Sequence, residues 1–359
     1  MDSLIRRAWL EIDLDAVRRN AATIAARAGV PILPMVKADA YGLGAVRVAR
    51  ALDLDDPWGF GVATVTEGEE LRRAGIKRPI IVFTPVLAED LDAAERSDLT
   101  PALATAATIK RWSVTRRPWH LDIDTGMGRA GLRWDELKSL HDLLTSSPPA
   151  GAFTHYHSAE LPDESMATQA KRFEEALANL PSRPSIVHAE NSAAIERCGR
   201  SRWTFARPGV FLYGVTSLPD APIRAEPVVA LRARIVEMRS IHDGDSVSYD
   251  ATWTARGRRR IATIPVGYAD GYRRILSNRG MGLLRERRVP VVGTVTMDMT
   301  MFDVTDVPCE IGDVVTLIGT DGRNSISVSD VAALGQLSPY EMLTSLRSRL
   351  PKRYIQRDA

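Results

Sequence analysis

The run Pro31-Ile32-Leu33-Pro34-Met35-Val36-Lys37-Ala38-Asp39-Ala40-Tyr41-Gly42 decides how this chain is read. A short apolar stretch bounded by prolines and glycine reads as a buried strand. It ends abruptly on one amine. A lysine at the exit of such a strand is partly desolvated, and its pKa falls toward neutrality. A neutral amine is what a Schiff base with an aldehyde requires. Taken alone, the segment fits a surface lysine past a strand end equally well, and the rest of the chain must decide.

Working outward, apolar runs recur at residues 32–36, 59–63, 80–83, 99–103, 119–123, 150–154, 185–188 and 203–206. Helical stretches separate most of them. Asp13 is placed to cap a helix over 14–28 that Gly29 ends. Thr66-Glu67-Gly68-Glu69 has the capping-box form, and Gly75 stops that helix. Eight strands alternating with helices predict an α/β fold, a (β/α)8 TIM-type barrel. The count closes, and no Gly-x-Gly-x-x-Gly follows the first strand, which disfavours a doubly wound sheet. After residue 218 the texture changes. Pro219, Pro222 and Pro227 mark a linker, and Val229, Leu231, Ala233 and Ile235 alternate with Arg232 and Arg234. Further strand-like runs at 261–266, 289–295, 299–304 and 314–318, and short helices near 329–335 and 340–346, make this part mostly β. The expected organisation is therefore an N-terminal strand in 1–12 that joins the C-terminal domain, a barrel over 13–218, and a mostly β domain over 219–359.

The length of 359 residues suits a barrel plus a second module. Lys and Arg total 47 against 45 Asp and Glu, a net charge of +2, so composition calls for neither nucleic acid nor a membrane surface as partner. The basic clusters at 256–260 and 285–288 lie between strand-like segments and read as solvated turns. Cys198 and Cys309 have no metal-like spacing, so no metal is expected and a reducing compartment fits. Without an apolar signal core at the start or a long apolar span, the protein is expected in the cytoplasm.

If the barrel is right, its strand exits form the face that carries chemistry. Those exits hold Lys37, Arg129, His155, His188 and Arg207, with Asn191-Ser192 and Gly209-Val210 beside the last two. Such a positively biased mouth on a nearly neutral chain suggests an anionic ligand. Ser192 opens a helix, and loops after the seventh and eighth strands commonly hold phosphate. A phosphate plus an aldehyde for Lys37 describes pyridoxal phosphate. A sugar-phosphate aldolase with Lys37 as its Schiff-base lysine remains the alternative on residues alone.

Several motifs then fall into one order: Met35-Val36-Lys37-Ala38-Asp39-Ala40-Tyr41-Gly42, Asp124-Thr125-Gly126-Met127-Gly128-Arg129, Asn191-Ser192, Arg207-Pro208-Gly209-Val210-Phe211-Leu212-Tyr213-Gly214, Val247-Ser248-Tyr249, Pro265-Val266-Gly267-Tyr268-Ala269-Asp270-Gly271 and Met297-Asp298. With these the chain resembles the alanine racemase family, fold-type III pyridoxal phosphate enzymes, over essentially its whole length. The resemblance implies interconversion of L- and D-alanine by two bases, to supply D-alanine for peptidoglycan. Lys37 would tether the cofactor and serve the D face. Tyr249, reaching in from the other subunit of a head-to-tail homodimer with shared sites, would serve the L face. Tyr41, Ser192 and the N–H groups of Gly209 and Val210 would hold the phosphate, with Asn191 adjacent. Arg207 would face the pyridine nitrogen with His188 behind it, and His155 would lie near the ring. Arg129 would contact the cofactor phenolate and the substrate carboxylate, which the N–H of Met297, also from the other subunit, would help hold. Tyr268 would line the substrate path, and Asp298 would support it.

The physical logic agrees. Lysine and tyrosine are poor bases near their free pKa values of about 10.4 and about 10, so cations and burial must depress them. An arginine does not protonate the pyridine nitrogen, which favours return of the proton to Cα over transamination. The chain also departs from the family. Many members carry a carbamylated lysine where this chain has Asp122, whose carboxylate is expected to pair with Arg129 directly or through water. A phosphate-binding tyrosine of some relatives falls at Ser348. His157, His120 and His141 are expected to be structural or exposed. Competing readings are a racemase of another small amino acid such as serine, a fold-related decarboxylase (disfavoured by Arg207), and a non-catalytic cofactor carrier (disfavoured by the β domain).

Overall fold

The computed structural model describes residues 7–346 and 348–356. Residues 1–6 of the expected N-terminal segment lie outside that description. The chain forms two compact units: Val17–Ala40 with Gly44–Glu226, and the rest.

In the first unit, strands Phe60–Val62, Ile80–Val82, Thr100–Leu103, His120–Asp124, Gly151–Phe153 and Ile186–His188 lie side by side in chain order. Every pairing between neighbours is parallel. A two-residue strand, Leu132–Arg133, adds to His120–Asp124. Most of these strands are buried along their whole length, as a sheet covered on both faces requires. The expected first and eighth strands form no ladders. Ile32 makes a single bridge to Ala206, and Met35 one to Gly61. Pro31, Pro34 and Pro208 have no N–H to offer a ladder. The circle still closes. Leu33 donates its N–H to Ala206 at 2.8 Å, Val36 to Gly61 at 2.9 Å, and Thr204 to Val187 at 2.8 Å.

Helices follow the strands. Leu14–Ala28 is capped by Asp13, which accepts the Ala16 N–H at 2.8 Å, and ends at Gly29 with φ 66. Val65–Arg73 is capped by Thr64 with Glu67, two residues before the expected box at Thr66, because Glu67 is the acid whose carboxylate reaches back to the cap.

In the second unit, one sheet runs Arg287–Pro290, Met281–Leu284, Val314–Asp321, Val229–Arg234, Ala8–Asp13, Lys352–Ile355, with Asn324–Ile326 paired to Val314–Asp321. Ala8–Asp13 is antiparallel to Val229–Arg234 and parallel to Lys352–Ile355. A three-stranded sheet joins Glu237–Ile241, Arg259–Ile264 and Thr300–Asp303. Val247, Ile261, Val292 and Met301 form a core cluster in this unit. Helices Val328–Leu334 and Pro339–Ser345 carry capping boxes from Ser327 and Ser338. Of the basic run at 285–288, Arg285 and Glu286 form a hairpin turn, at φ 49 and 63, while Arg287 and Arg288 begin the strand Arg287–Pro290. Among the described residues no helix is long and apolar enough to cross a membrane.

Candidate active site

Lys37 leaves the first parallel segment and enters a left-handed turn. Ala38, Asp39 and Ala40 have φ and ψ near +50°, and Tyr41 has φ 55. Each L-residue in that region costs about 1–2 kcal/mol. Hydrogen bonds hold the turn in place. Glu67 Oε1 accepts the Ala38 N–H at 2.7 Å, Val36 accepts the Ala40 N–H at 2.8 Å, and Asp39 Oδ1 accepts the Ala45 N–H at 2.8 Å. The Lys37 amine has no hydrogen-bond partner among the described residues. Burial first, then Arg129 and Arg207, hold its pKa below the ordinary lysine value, while Glu67 acts in the opposite direction.

Arg207 is fully buried at the exit of the eighth segment. Its Nη1 donates to His188 Nδ1 at 2.5 Å, and its Nη2 donates to the carbonyls of Thr154 at 2.8 Å and Ala189 at 2.9 Å. A guanidinium only donates, so His188 Nδ1 must accept and His188 Nε2 must carry the ring proton. That proton points to His120 Nδ1, 2.8 Å away, which fixes the His120 tautomer in turn. Both rings are neutral: burial and the guanidinium push His120 down to about 3 and His188 well below its usual value. The His188 ring stacks on Phe205 at 4.4 Å and Phe153 at 5.2 Å. Arg207 itself is pushed down to about 10 by burial and stays charged at neutral pH. Its Nε has no hydrogen-bond partner among the described residues, so this N–H is open to an acceptor atom. His155 Nδ1 lies 3.4 Å from Arg207 Nη2, and burial with Arg207, Arg129 and Lys37 pushes it down to about 3.

Beside Arg207, Ser192 Oγ accepts the N–H groups of Gly209 at 2.9 Å and Phe211 at 3.4 Å. Asn191 caps the following helix by accepting the Ala194 N–H at 3.0 Å. Gly209 precedes the short turn Val210–Tyr213, which Tyr213 anchors by donating to the Met35 carbonyl at 2.7 Å. The donor set fits pyridoxal phosphate: a desolvated amine for the aldehyde, an N–H of Arg207 for the ring nitrogen, and a serine hydroxyl with backbone N–H groups for the phosphate. Tyr41 is buried in the second unit, its ring 6.1 Å from that of Tyr340. Burial raises its pKa, so it stays a neutral phenol.

Asp122 and Arg129 do not pair directly. No ion pair or hydrogen bond joins them among the described residues. Asp122 sits on the inner face of its strand, whereas Arg129 is exposed in a loop shaped by Gly126, Gly128 and Gly131, all at positive φ. Burial pushes the Asp122 carboxyl up to about 7, opposed by Arg207 and then Arg129 and reinforced by Asp124. Asp124 is occupied with the loop, accepting the Gly126 N–H at 2.9 Å.

In the second unit, Tyr249 is 69% exposed on a turn with Ser248 and Asp250 at positive φ. Its carbonyl accepts from Thr294 Oγ1 at 3.1 Å. Tyr268 and Met297 stand on loops zipped together, with the Tyr268 N–H on Thr296 and the Ala269 N–H on Met297, both at 3.0 Å. Gly267 is required there, since a Cβ would lie 2.2 Å from the Thr296 carbonyl oxygen. Arg349 ties the two loops, with Nε 3.1 Å from Asp270 and Nη1 2.8 Å from Asp298. Ser348 is exposed. The sequence reading assigned no site role to Glu67, His120 or Arg349. The alternation His120, Asp122, Asp124 on one strand face was the available signal for the second of these.

Two family models match: the alanine racemase N-terminal domain over residues 12–217 and the alanine racemase C-terminal domain over 228–354. An alanine racemase of Symbiobacterium thermophilum is 37% identical over 98% of this chain and 97% of its own length. One from Sorangium cellulosum is 38% identical over 89% of this chain and 90% of its own. Among solved structures, alanine racemase from Bacillus anthracis with bound L-Ala-P superposes with a TM-score of 0.90 at 32% identity, covering 99% of this chain and 96% of that one. Alanine racemase from Bartonella henselae with covalently bound pyridoxal phosphate gives 0.90 at 30% identity, covering 98% and 100%.

Proposed function

The chain belongs to the alanine racemase family, and on that premise we propose how its own residues invert alanine with pyridoxal phosphate as cofactor. Bound at Lys37, pyridoxal phosphate supplies an electron-withdrawing system that acidifies the Cα–H of the amino acid. The observation that carries the reading is a half-buried amine with no hydrogen-bond partner among the described residues, in one unit with a buried guanidinium whose Nε–H is open. The depressed pKa of Lys37 lets its Nζ accept and return a proton on the D face. The Tyr249 hydroxyl does the same on the L face. Arg207, charged and hydrogen-bonded through His188 to His120, would hold the ring nitrogen by a hydrogen bond and, being an arginine, would give it no proton. By leaving the ring nitrogen unprotonated, Arg207 would favour return of the proton to Cα by Lys37 or Tyr249. Ser192, Gly209 and Val210 hold the phosphate, aided by Tyr41, and His155 packs near the ring. Arg129 would contact the cofactor phenolate and, with the Met297 N–H from the partner subunit, orient the substrate carboxylate, and Tyr268 lines the substrate path with Asp298 in support.

Tyr249 acts from the partner subunit of a head-to-tail homodimer. Support comes from the exposure of Tyr249, Tyr268, Met297 and Met299, large side chains on neighbouring loops of the second unit. Free Cys198 and Cys309 agree with a reducing cytoplasm, where the D-alanine would serve peptidoglycan. The test is Tyr249→Phe with solvent deuterium exchange at Cα. Exchange into L-alanine should slow by on the order of a hundredfold or more, and exchange into D-alanine far less. Equal losses for the two enantiomers would remove Tyr249 as the L-face base.

A further inference from the structure

We propose that Glu67 is the positioning residue for Lys37, its one carboxylate binding the N–H groups at two adjacent strand exits and so fixing where the reactive amine leaves the backbone. This rests on Lys37 as the cofactor anchor. Glu67 Oε1 accepts the Ala38 N–H at 2.7 Å, directly after Lys37. Glu67 Oε2 accepts the Ala63 N–H at 2.7 Å, directly after the strand Phe60–Val62. An ordinary capping box commits its acid to the cap residue's own N–H. Here that bond, to Thr64, is the longest of the three at 3.3 Å. The shorter bonds run outside the helix and across strands.

Two consequences follow for the amine. Ala38 is the first residue of the left-handed turn, and a charged acceptor on its N–H is what offsets that conformation at its start. Glu67 is also the acid among the charged and titratable groups that face Lys37, the others being Arg129, Arg207 and His155. It moderates the two arginines. Glutamine at 67 keeps one acceptor oxygen, but its NH2 cannot accept the second N–H, and the charge is gone.

The experiment compares full-length Glu67→Gln with Thr64→Val, which removes the cap hydroxyl that accepts the Glu67 N–H at 3.2 Å and leaves the carboxylate. Protein freed of cofactor is given pyridoxal phosphate, and the rate of capture is followed over pH, with kcat and KM of the reloaded enzymes alongside. In Glu67→Gln the midpoint should move toward acid, and the capture rate on the alkaline plateau and kcat should fall on the order of tenfold with KM little changed. Thr64→Val should lower the melting temperature and leave the capture rate and midpoint at wild-type values. A fall in the plateau capture rate confined to Glu67→Gln supports the proposal, and a capture rate that rises or is unchanged overturns it. Wild-type behaviour, or changes that Thr64→Val shares equally, overturns it. Should Glu67→Gln not fold, Glu67→Asp, charged but too short to span both N–H groups, must lose kcat; wild-type kcat in that variant also overturns it. Failure of the underlying reading looks different, since Lys37→Ala would then still capture pyridoxal phosphate.

Discussion

Below pH 6.5 the unfolded chain binds protons that the folded chain refuses. His120 titrates at about 3 in the folded state against 6.5 in its ordinary state, because burial and Arg207 forbid its charge. A depressed native pKa gives stability that is complete above the unfolded value and is lost as pH falls toward the native one. His120 alone therefore removes about 1.4 kcal/mol per pH unit between those limits. His155, also at about 3, and His188, lower than its usual value, act in the same direction. Asp122 opposes them. Raised from 3.8 to about 7, it keeps its proton in the folded state and loses it when unfolded. With three histidines acting one way and one aspartate the other, stability still falls as the pH falls. Glu190 and Glu196, both raised by burial, flatten the lower end. His120→Gln keeps an acceptor for the His188 Nε2 proton and does not titrate. Urea unfolding of wild type and variant between about pH 6 and about pH 5, followed by tryptophan fluorescence, should show the slope falling by about 1.4 kcal/mol per unit. Identical slopes would mean that His120 is not held neutral, and the deduced direction of the Arg207–His188–His120 hydrogen bonds would fall with it.

Two further outcomes are expected. Lys37→Ala should lose both racemisation and the visible absorbance of the bound cofactor, and a retained band would assign the anchor to another lysine. Arg349→Ala removes the side-chain clamp on the loops of Tyr268 and Met297 and leaves only their backbone hydrogen bonds, so KM for alanine should rise several-fold with a smaller change in kcat; an unchanged KM would show that the Asp270 and Asp298 contacts do not order these loops.

The barrel was legible because strands buried on both faces read as short apolar runs between breakers, as 80–83 and 119–123 do. The same rule overstated the first and eighth strands, which make isolated bridges only, with Pro31 and Pro34 at the first and Pro208 just past the eighth. In the second unit Glu237–Ile241 escaped notice because it is mostly exposed and carries no apolar alternation. Met281–Leu284 and Lys352–Ile355 are four-residue strands recognisable only from their partners. Lys37, His188, Ser192 and Arg207 were visible at strand exits. The work of Glu67 was hidden because its hydrogen bonds run to Ala38 and Ala63 across strands, and a capping motif reports only its local bond. The direct Asp122–Arg129 pairing failed because residue types at a fixed offset do not say how a glycine-rich loop turns.

The sparse bridging at Ile32 and Met35 has a meaning for how the barrel coheres. Its least-laced seam runs along the segment that bears Lys37, with Gly209 and Val210 on one margin and Gly61 on the other. Anything fastened to the lysine and clasped by the Gly209–Val210 turn stitches that segment to its Gly209 margin, so the tightness of the closed wall depends on its cargo.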